Sequence, residues 1–484
     1  MDIEQDEEDF PIPVEDDFPV RVEDDDVIEG ERSGLITGRT RPGLWKRVIL
    51  YLISVSAAFV VGTVILRAIY PSIDADATVP ATDESLDISK ASVVLVSIDG
   101  FRWDYLDLKD DEGKPLAPTL RKLRESGVSA THMQPVMPSK TFPNHWSIVT
   151  GLYPAWHGII DNNMYDVRDE TFFTVFDHKN PKWWFGDPLW STAKRAGLTT
   201  AAAFWPGSEV VSDRFSTPDV YLDYDPEMKY EKRVNQVINF LGGKGMPGDR
   251  EARLVTLYLN YVDRNGHEHG PNSEQVRKAV QDADAALGEL IEKIHAQPFS
   301  NRTSVVVVSD HGMQEMKKAD ALVFDDLVST DDFISPATSP LGQFFPTNGT
   351  SSSQLFQSLQ AVQAAGGVQV MMVEDTPTNW HYKDALLFRP PVVSLCKPGV
   401  SLFYKSILDQ KSDVWGDHGF ANDEQNMQAI FIANGPGFPS DGRRIDNFKS
   451  VDVYATICKL LEIEPSPNNG TAKTVDNVFV NKKI

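Results

Sequence analysis

Apolar runs of strand length recur along this chain, and each ends abruptly at polar residues. Ala91 to Ile98 (ASVVLVSI) stops at Asp99-Gly100. Leu254 to Leu259 (LVTLYL) runs into Asn260-Tyr261-Val262-Asp263, Ser304 to Ser309 (SVVVVS) into Asp310-His311-Gly312, and Ala429 to Ala433 (AIFIA) into Asn434-Gly435. Runs that do not alternate with polar residues fit strands buried on both faces, as in a parallel sheet. Helical spacing fills the intervals. Ser273 to Ala296 places Val276, Val280, Ala283, Leu287, Leu290, Ile291 and Ile294 on one face, and Pro118 to Ser126 and Val451 to Leu461 read the same way. Alternating strands and helices predict an α/β fold: a central, largely parallel sheet with helices on both faces. Sites in such sheets gather outside the carboxyl ends of the strands. Asp99, Asp263, Asp310 and His311 fall there.

One apolar run is of another kind. Val48 to Leu66 is nineteen residues without a charge, long enough to span a bilayer as a signal-anchor helix. It lies too far into the chain, and is too long, for a cleavable signal peptide. Arg39, Arg41, Lys46 and Arg47 crowd its N-terminal flank, against Arg67 on the other side. The positive-inside rule puts the N-terminus in the cytosol and the bulk of the chain in a lumen or outside the cell, a single-pass type II topology. The expected order is an acidic disordered tail at 1–47, the transmembrane helix at 48–66, a stalk at 67–90 and one catalytic domain at 91–484.

Charge and composition sharpen this division. The net charge is -24, and residues 1–31 hold fifteen Asp and Glu against one base, Arg21. That tail has neither aromatic density nor apolar period, so it reads as disordered. The acidic balance opposes a stable nucleic-acid partner, whose phosphates it repels. Three sequons, at Asn301, Asn348 and Asn469, all follow the apolar span and are candidate glycosylation sites. Cys396 and Cys458 are the only cysteines, so the fold does not lean on disulfides; the two are either a pair or two free thiols. Asp325 to Ser353, polar and rich in Pro, Gly and Ser, reads as a surface excursion.

The candidate chemistry lies at the strand ends and in three loops. Asp263 and His267 are four apart around a glycine, a loop spacing that lets both reach one ion, and carboxylate with imidazole suits zinc. Asp310 and His311 are adjacent, which requires irregular backbone if both are to ligate, with Gly312 permitting a close turn. His418 sits between glycines in Gly416-Asp417-His418-Gly419. Thr141 offers one hydroxyl in the stiff stretch Pro138-Ser139-Lys140-Thr141-Phe142-Pro143-Asn144-His145, as a prop or as a nucleophile. Asp99, Asp263, Asp310, His267, His311 and His418 are too many ligands for one tetrahedral zinc with an open position. They suit two ions, with Thr141 completing one shell. Two metals about 4 Å apart clamp the attacking and leaving oxygens of an in-line phosphoryl displacement, and a threonine on such an ion becomes a nucleophile at neutral pH.

These residues sit in motifs that resemble the nucleotide pyrophosphatase/phosphodiesterase family of the alkaline phosphatase superfamily. They are Ser97-Ile98-Asp99-Gly100-Phe101-Arg102, Lys140-Thr141-Phe142-Pro143-Asn144-His145, Gly151-Leu152-Tyr153-Pro154 with His157-Gly158-Ile159-Ile160-Asp161-Asn162, Asp263 with Gly266-His267 and Gly270-Pro271, Ser309-Asp310-His311-Gly312-Met313, and Gly416 with His418-Gly419. The resemblance covers roughly 93–461. It implies an alkaline phosphatase-like fold and two Zn2+ ions. Asp99, Thr141, Asp310 and His311 would hold the first, and Asp263, His267 and His418 the second. It implies that Asn162 steadies a phosphate oxygen and that Phe142 and Tyr224 sandwich a nucleobase. Lys140, beside the nucleophile, is either a phosphate contact or a solvated charge. His269 is not a ligand in this pattern, and Trp183, Trp184 and Trp190 read as core. The family's Glu-x-Pro-Asp before the second-site Asp is Asn260-Tyr261-Val262-Asp263 here, a departure that bears on substrate preference. The form resembled is the compact, membrane-anchored one, without nuclease-like or cysteine-rich modules.

The implied activity is hydrolysis of nucleoside 5′-phosphodiester and pyrophosphate bonds, releasing 5′-monophosphates through a phosphothreonine intermediate. Two rivals stand beside it: a lipid head-group or choline phosphodiesterase of the same fold, and a metal-stabilised binding protein without turnover.

Overall fold

Residues 91–479 are described by a computed structural model of the chain. Eight strands form the main sheet: β1 (Ser92–Ile98), β2 (Val128–Ala130), β3 (Thr200–Ala203), β4 (Val220–Leu222), β5 (Leu254–Leu259), β6 (Thr303–Val308), β7 (Phe431–Asn434) and β8 (Arg443–Ile445). Their order across the sheet is β8-β2-β7-β6-β1-β5-β3-β4. β1 lies at the centre, parallel to β5 and β6 on its two sides. β7 alone runs antiparallel, to both β6 and β2, so the sheet is mixed. β7 begins two residues after the start of the expected apolar run.

Helices cover both faces, as the non-alternating strands require. The alternate side chains of β1 separate the two cores. Val93 and Leu95 pack in one cluster with Trp146 and Ile148 of α2 (Thr141–Thr150) and Val453 and Ile457 of α5 (Asp452–Leu460). Val94, Val96 and Ile98 pack in the other, with Leu120 of α1 (Pro118–Glu125) and the apolar stripe of α4 (Glu274–His295). In α4, Val276, Val280, Ala283, Leu287, Leu290 and Ile294 are buried, and Ile291 is half-buried. Each large aliphatic side chain there contributes roughly 1.5–3 kcal/mol of transfer free energy. Ser273 caps the helix by accepting from the Val276 N–H.

A third core departs from expectation. The stretch 325–353 is not a surface excursion: Phe333–Ile334 and Leu341–Pro346 belong to a four-stranded antiparallel sheet with Val368–Met372 and Val392–Cys396, and residues 335–345 are buried. Their polar composition misleads because the hydroxyls bond inside the protein. Thr338 Oγ1 donates to the Leu402 carbonyl and Ser335 Oγ to that of Ala337. Gly342 admits the neighbouring strand, since a Cβ there would lie 2.3 Å from Ser394 Oγ.

Cys396 and Cys458 are free thiols, both buried, and burial pushes each up to about 12. The acidic tail, the apolar span at 48–66 and the stalk lie outside the described residues. Among the described residues, no helix is long and apolar enough to cross a membrane.

Candidate active site

Thr141 opens α2 rather than lying in a loop. Lys140 is its N-cap, in extended conformation, and Pro143 falls in the first turn, where a helix needs no N–H from it. The positive end of α2 therefore lies at the hydroxyl. Thr141 Oγ1 lies 3.3 Å from His311 Nε2.

His311 follows Asp310 on irregular backbone just past β6, as the adjacent pair required. Gly312 serves close approach: a Cβ there would sit 2.0 Å from the Asn426 carbonyl oxygen. At the end of β1, Asp99 Oδ1 lies 3.4 Å from His311 Nε2, and Gly100 N donates to Asp310 Oδ1 at 3.2 Å. Asp99, Thr141, Asp310 and His311 are thus brought together.

Asp263 and His267 lie on a helix, α3 (Tyr261–His269), not on a loop. A spacing of four places both on one helical face, and their charged atoms are 3.5 Å apart. His418 reaches them from a short antiparallel pair, Gln314–Lys317 with Val414–Asp417, that ends one residue before it. Gly416 makes the approach possible: a Cβ there would meet the Gly266 carbonyl oxygen at 2.3 Å. His418 Nε2 is 3.0 Å from His267 Nε2 and 3.8 Å from Asp263 Oδ1. The His311 and His418 rings stack at 3.5 Å, so the two groups of residues form one centre. His269 is outside it, paired with Glu268.

The electrostatics call for cations. Burial, then the Asp310 and Asp263 carboxylates, pushes Asp99 well above the usual carboxylate range. Burial also acts to raise Asp310, but His311 and His145 outweigh it and hold that carboxyl well below its ordinary value. His418 is lowered by burial and by His311, His267 and Lys140 nearby, so its ring is neutral. The Nδ1 atoms of His267, His311 and His418 lie 2.8–2.9 Å from the carbonyls of Gly416, Gly312 and Ser139. A carbonyl only accepts, so each Nδ1 carries a proton and each Nε2 is the atom turned toward the centre. Asp99 Oδ1 is buried with no hydrogen-bond partner among the described residues, and Asp310 Oδ2 is buried 3.0 Å from His311 Nε2. Three groups of ligand atoms lie within 4.8 Å of one another: Asp263, His267 and His418; Asp99, Asp263 and His311; Asp99, His145 and Asp310. These donors fit metal ions held by carboxylate and imidazole.

The expected substrate contacts are distributed around this centre. Asn162 is buried, its Oδ1 accepts from Phe142 N at 2.9 Å, and its Nδ2 has no hydrogen-bond partner. Phe142 backs onto Phe173, His178 and Trp184. Tyr224 is 41% exposed and meets Tyr258 edge-on. Lys140 is 1% exposed, so it is not a solvated charge, and its ammonium lies 3.8 Å from Asp417. Trp183, Trp184 and Trp190 are core.

Two residues of the centre carried no assigned role in the sequence. His145, one turn after Thr141, has Nε2 2.8 Å from Ser97 Oγ and Nδ1 3.3 Å from Asp310 Oδ2. Tyr258 donates its hydroxyl to Asp99 Oδ2 at 2.5 Å. Helical spacing from Thr141 signals the first; nothing in an apolar strand signals the second.

Comparison with known proteins bears on this arrangement. A family model described as type I phosphodiesterase / nucleotide pyrophosphatase matches residues 93–421. Venom phosphodiesterase 2 of Crotalus adamanteus is 34% identical over 410 residues, covering 83% of this chain and 49% of that protein. Ectonucleotide pyrophosphatase/phosphodiesterase family member 3 of Mus musculus is 33% identical over 396 residues, covering 80% and 44%. The chain spans about half the length of these curated relatives. Among solved structures, murine ectonucleotide pyrophosphatase/phosphodiesterase 5, an inactive threonine-to-alanine variant in complex with AMP, matches with a TM-score of 0.72 at 30% identity, covering 81% of this chain and 100% of that one. Its human counterpart gives 0.73 at 30%, covering 80% and 99%. With the motifs, the sheet and the convergent Asp and His residues in agreement, the chain belongs to the type I phosphodiesterase/nucleotide pyrophosphatase family.

Proposed function

We propose that the chain hydrolyses nucleoside 5′-phosphodiester and pyrophosphate bonds, with Thr141 as nucleophile and two zinc ions as cofactors. The observation that carries this reading is Thr141 Oγ1 at the N-terminus of α2, 3.3 Å from His311 Nε2, inside a cluster of bare imidazole and carboxylate donors. Asp99, Thr141, Asp310 and His311 hold one zinc; Asp263, His267 and His418 hold the other. Zinc, when bound, supplies the Lewis-acid charge that lowers the pKa of the threonine hydroxyl and screens the phosphoryl oxygens.

The chain's own groups do the rest. Thr141 gives its hydroxyl proton to solvent as Oγ1 forms a bond to phosphorus and the bond to the leaving oxygen breaks, that oxygen departing with the electron pair. Water then attacks phosphorus and the Oγ1–P bond breaks; a proton from the water restores the hydroxyl as the 5′-monophosphate is released. The positive end of α2 and the Asn162 Nδ2 donor face the negative phosphoryl group. His145 and Tyr258 orient Asp310 and Asp99. Phe142 and Tyr224 offer aromatic surface to a base.

The uncharged span at 48–66, with Arg39, Arg41, Lys46 and Arg47 on its N-terminal flank, supports a type II membrane anchor. Asn301 and Asn348 are exposed and Asn469 is half-buried, which supports the first two as the better glycosylation sites. Turnover of thymidine 5′-(4-nitrophenyl) phosphate by the purified zinc-loaded chain tests the activity. Thr141→Ala is expected to lower it by at least about a thousandfold with folding intact; wild-type turnover in that variant would overturn the assignment.

A further inference from the structure

A cavity beside the centre is lined at one edge by His267 and at another by Asn163, the neighbour of Asn162. Neither Phe142 nor Tyr224 lines it. It offers about 50 Å³ to water-sized groups, enough for roughly three or four waters or one phosphate group.

Its wall is built for an anion. Ala337, Thr338 and Ser339 all line the cavity, and their backbone N–H groups donate to no acceptor among the described residues. Buried N–H groups almost always have partners, so three in succession mark a place for one. Lys411 also lines the cavity. Its ammonium lies over the Phe403 ring at 5.8 Å, and no carboxylate of the described residues lies within ion-pair distance of it. One acid, Asp417, lines the cavity too, and its carboxylate faces the Lys140 ammonium at 3.8 Å.

We infer that this cavity receives the phosphate next to the scissile bond when the leaving group is a phosphate or pyrophosphate, with Lys411 as the residue that selects for its charge. The inference rests on the hydrolase reading above. A diester has two halves. The base half belongs with Phe142 and Tyr224, and the cavity at His267 is where the departing half meets N–H donors and a cation. In the reaction ATP plus water gives AMP plus pyrophosphate, and the pyrophosphate leaves with the electron pair of the broken P–O bond.

The test compares ATP, whose leaving group is charged, with thymidine 5′-(4-nitrophenyl) phosphate, whose leaving group has no phosphate. In Lys411→Ala, kcat/KM for ATP is expected to fall about tenfold, as for a charge-assisted hydrogen bond, with the nitrophenyl ester unchanged. Lys411→Arg should restore ATP turnover, and Lys411→Glu should depress it further. ATP turnover equal to wild type in Lys411→Ala would sink the inference. So would a parallel loss for both substrates, which would assign Lys411 to the fold. If the wild-type chain turns over neither ester, the hydrolase reading itself fails and takes this inference with it, a result distinct from either variant outcome.

Discussion

His267 Nε2 and His418 Nε2 face each other at 3.0 Å while both Nδ1 atoms sit 2.9 Å from backbone carbonyls. Burial beside His311 keeps His418 neutral, so its Nε2 offers a lone pair toward His267. With the Asp263 carboxylate beside both rings, a divalent cation fits between them. Removing metal with a chelator is therefore expected to abolish turnover and to lower Tm, and added zinc to restore both. A metal present at one hundred times its Kd contributes about 2.7 kcal/mol. Differential scanning fluorimetry with elemental analysis reads this directly; an unchanged Tm after metal loss would contradict it.

Gly416 sets the distance between the helix carrying His267 and the strand leading to His418. A Cβ there meets the Gly266 backbone oxygen at 2.3 Å, and backbone cannot swing aside as a side chain does. Gly416→Ala is expected to weaken zinc binding at least about tenfold, comparable to losing a support of a metal ligand. At Gly266 the nearest obstacle is instead the flexible Met313 side-chain end, at 2.8 Å. Gly266→Ala should be milder. Zinc titration of both variants against a chromogenic chelator gives the order.

Sequence made some of these parts legible and hid others for identifiable reasons. β1, β5 and β6 announced themselves because strands buried on both faces stay apolar throughout, and their ends delivered Asp99, Asp310 and His311. The helix under Asp263 and His267 was hidden by Gly266, a poor helix former kept there by packing against Met313 and Gly416. Tyr258 and Asp99 lie 159 residues apart in sequence, and no local pattern reports such a pairing. Burial of Lys140 was not legible, because lysine is usually solvated and the Asp417 carboxylate that accompanies it inside is far along the chain. Residues 335–345 looked like a loop because small polar side chains satisfy themselves on backbone carbonyls.

Asn162 is held by its Oδ1 on the Phe142 N–H, which leaves Nδ2 as the donor it can offer to a phosphoryl group. A contact that strengthens as charge develops acts on kcat more than on KM. Asn162→Ala is expected to lower kcat about a hundredfold or more, as for one oxyanion donor. Asn162→Asp should be worse, since it places a carboxylate beside a phosphate. Steady-state kinetics on the nitrophenyl ester separate kcat from KM; a change confined to KM would argue against the role.

Phe142 and Tyr224 predict the opposite split. Stacking on a base contributes about 1–3 kcal/mol per ring, and the base is remote from phosphorus. Tyr224→Ala is expected to raise KM for nucleotide esters about fivefold or more, with little effect on bis(4-nitrophenyl) phosphate, which has no base. Phe142→Ala also opens a hole among Phe173, His178 and Trp184, so it should lower Tm as well. Equal losses on both substrates for Tyr224→Ala would remove it from base recognition.

His157 supplies a pH dependence outside the metal centre. It is fully buried, its Nδ1 accepts from the Ile159 N–H, and its Nε2 lies 2.9 Å from Ser147 Oγ. Burial lowers it from 6.5 to about 3. The folded protein thus binds this proton more weakly than the unfolded chain does. The stability His157 contributes is fully present above pH 6.5 and is lost as pH falls from 6.5 toward 3, because acid favours the unfolded state. At about 1.4 kcal/mol per pH unit, the loss at pH 4 is about 3 kcal/mol. His157→Gln removes the titration, so its stability should fall less steeply between pH 6.5 and 4 than that of the wild type, whatever its stability at pH 7. Denaturant unfolding of both proteins across that range isolates His157 from the metal ligands, which titrate in both. Parallel curves would place the acid sensitivity elsewhere.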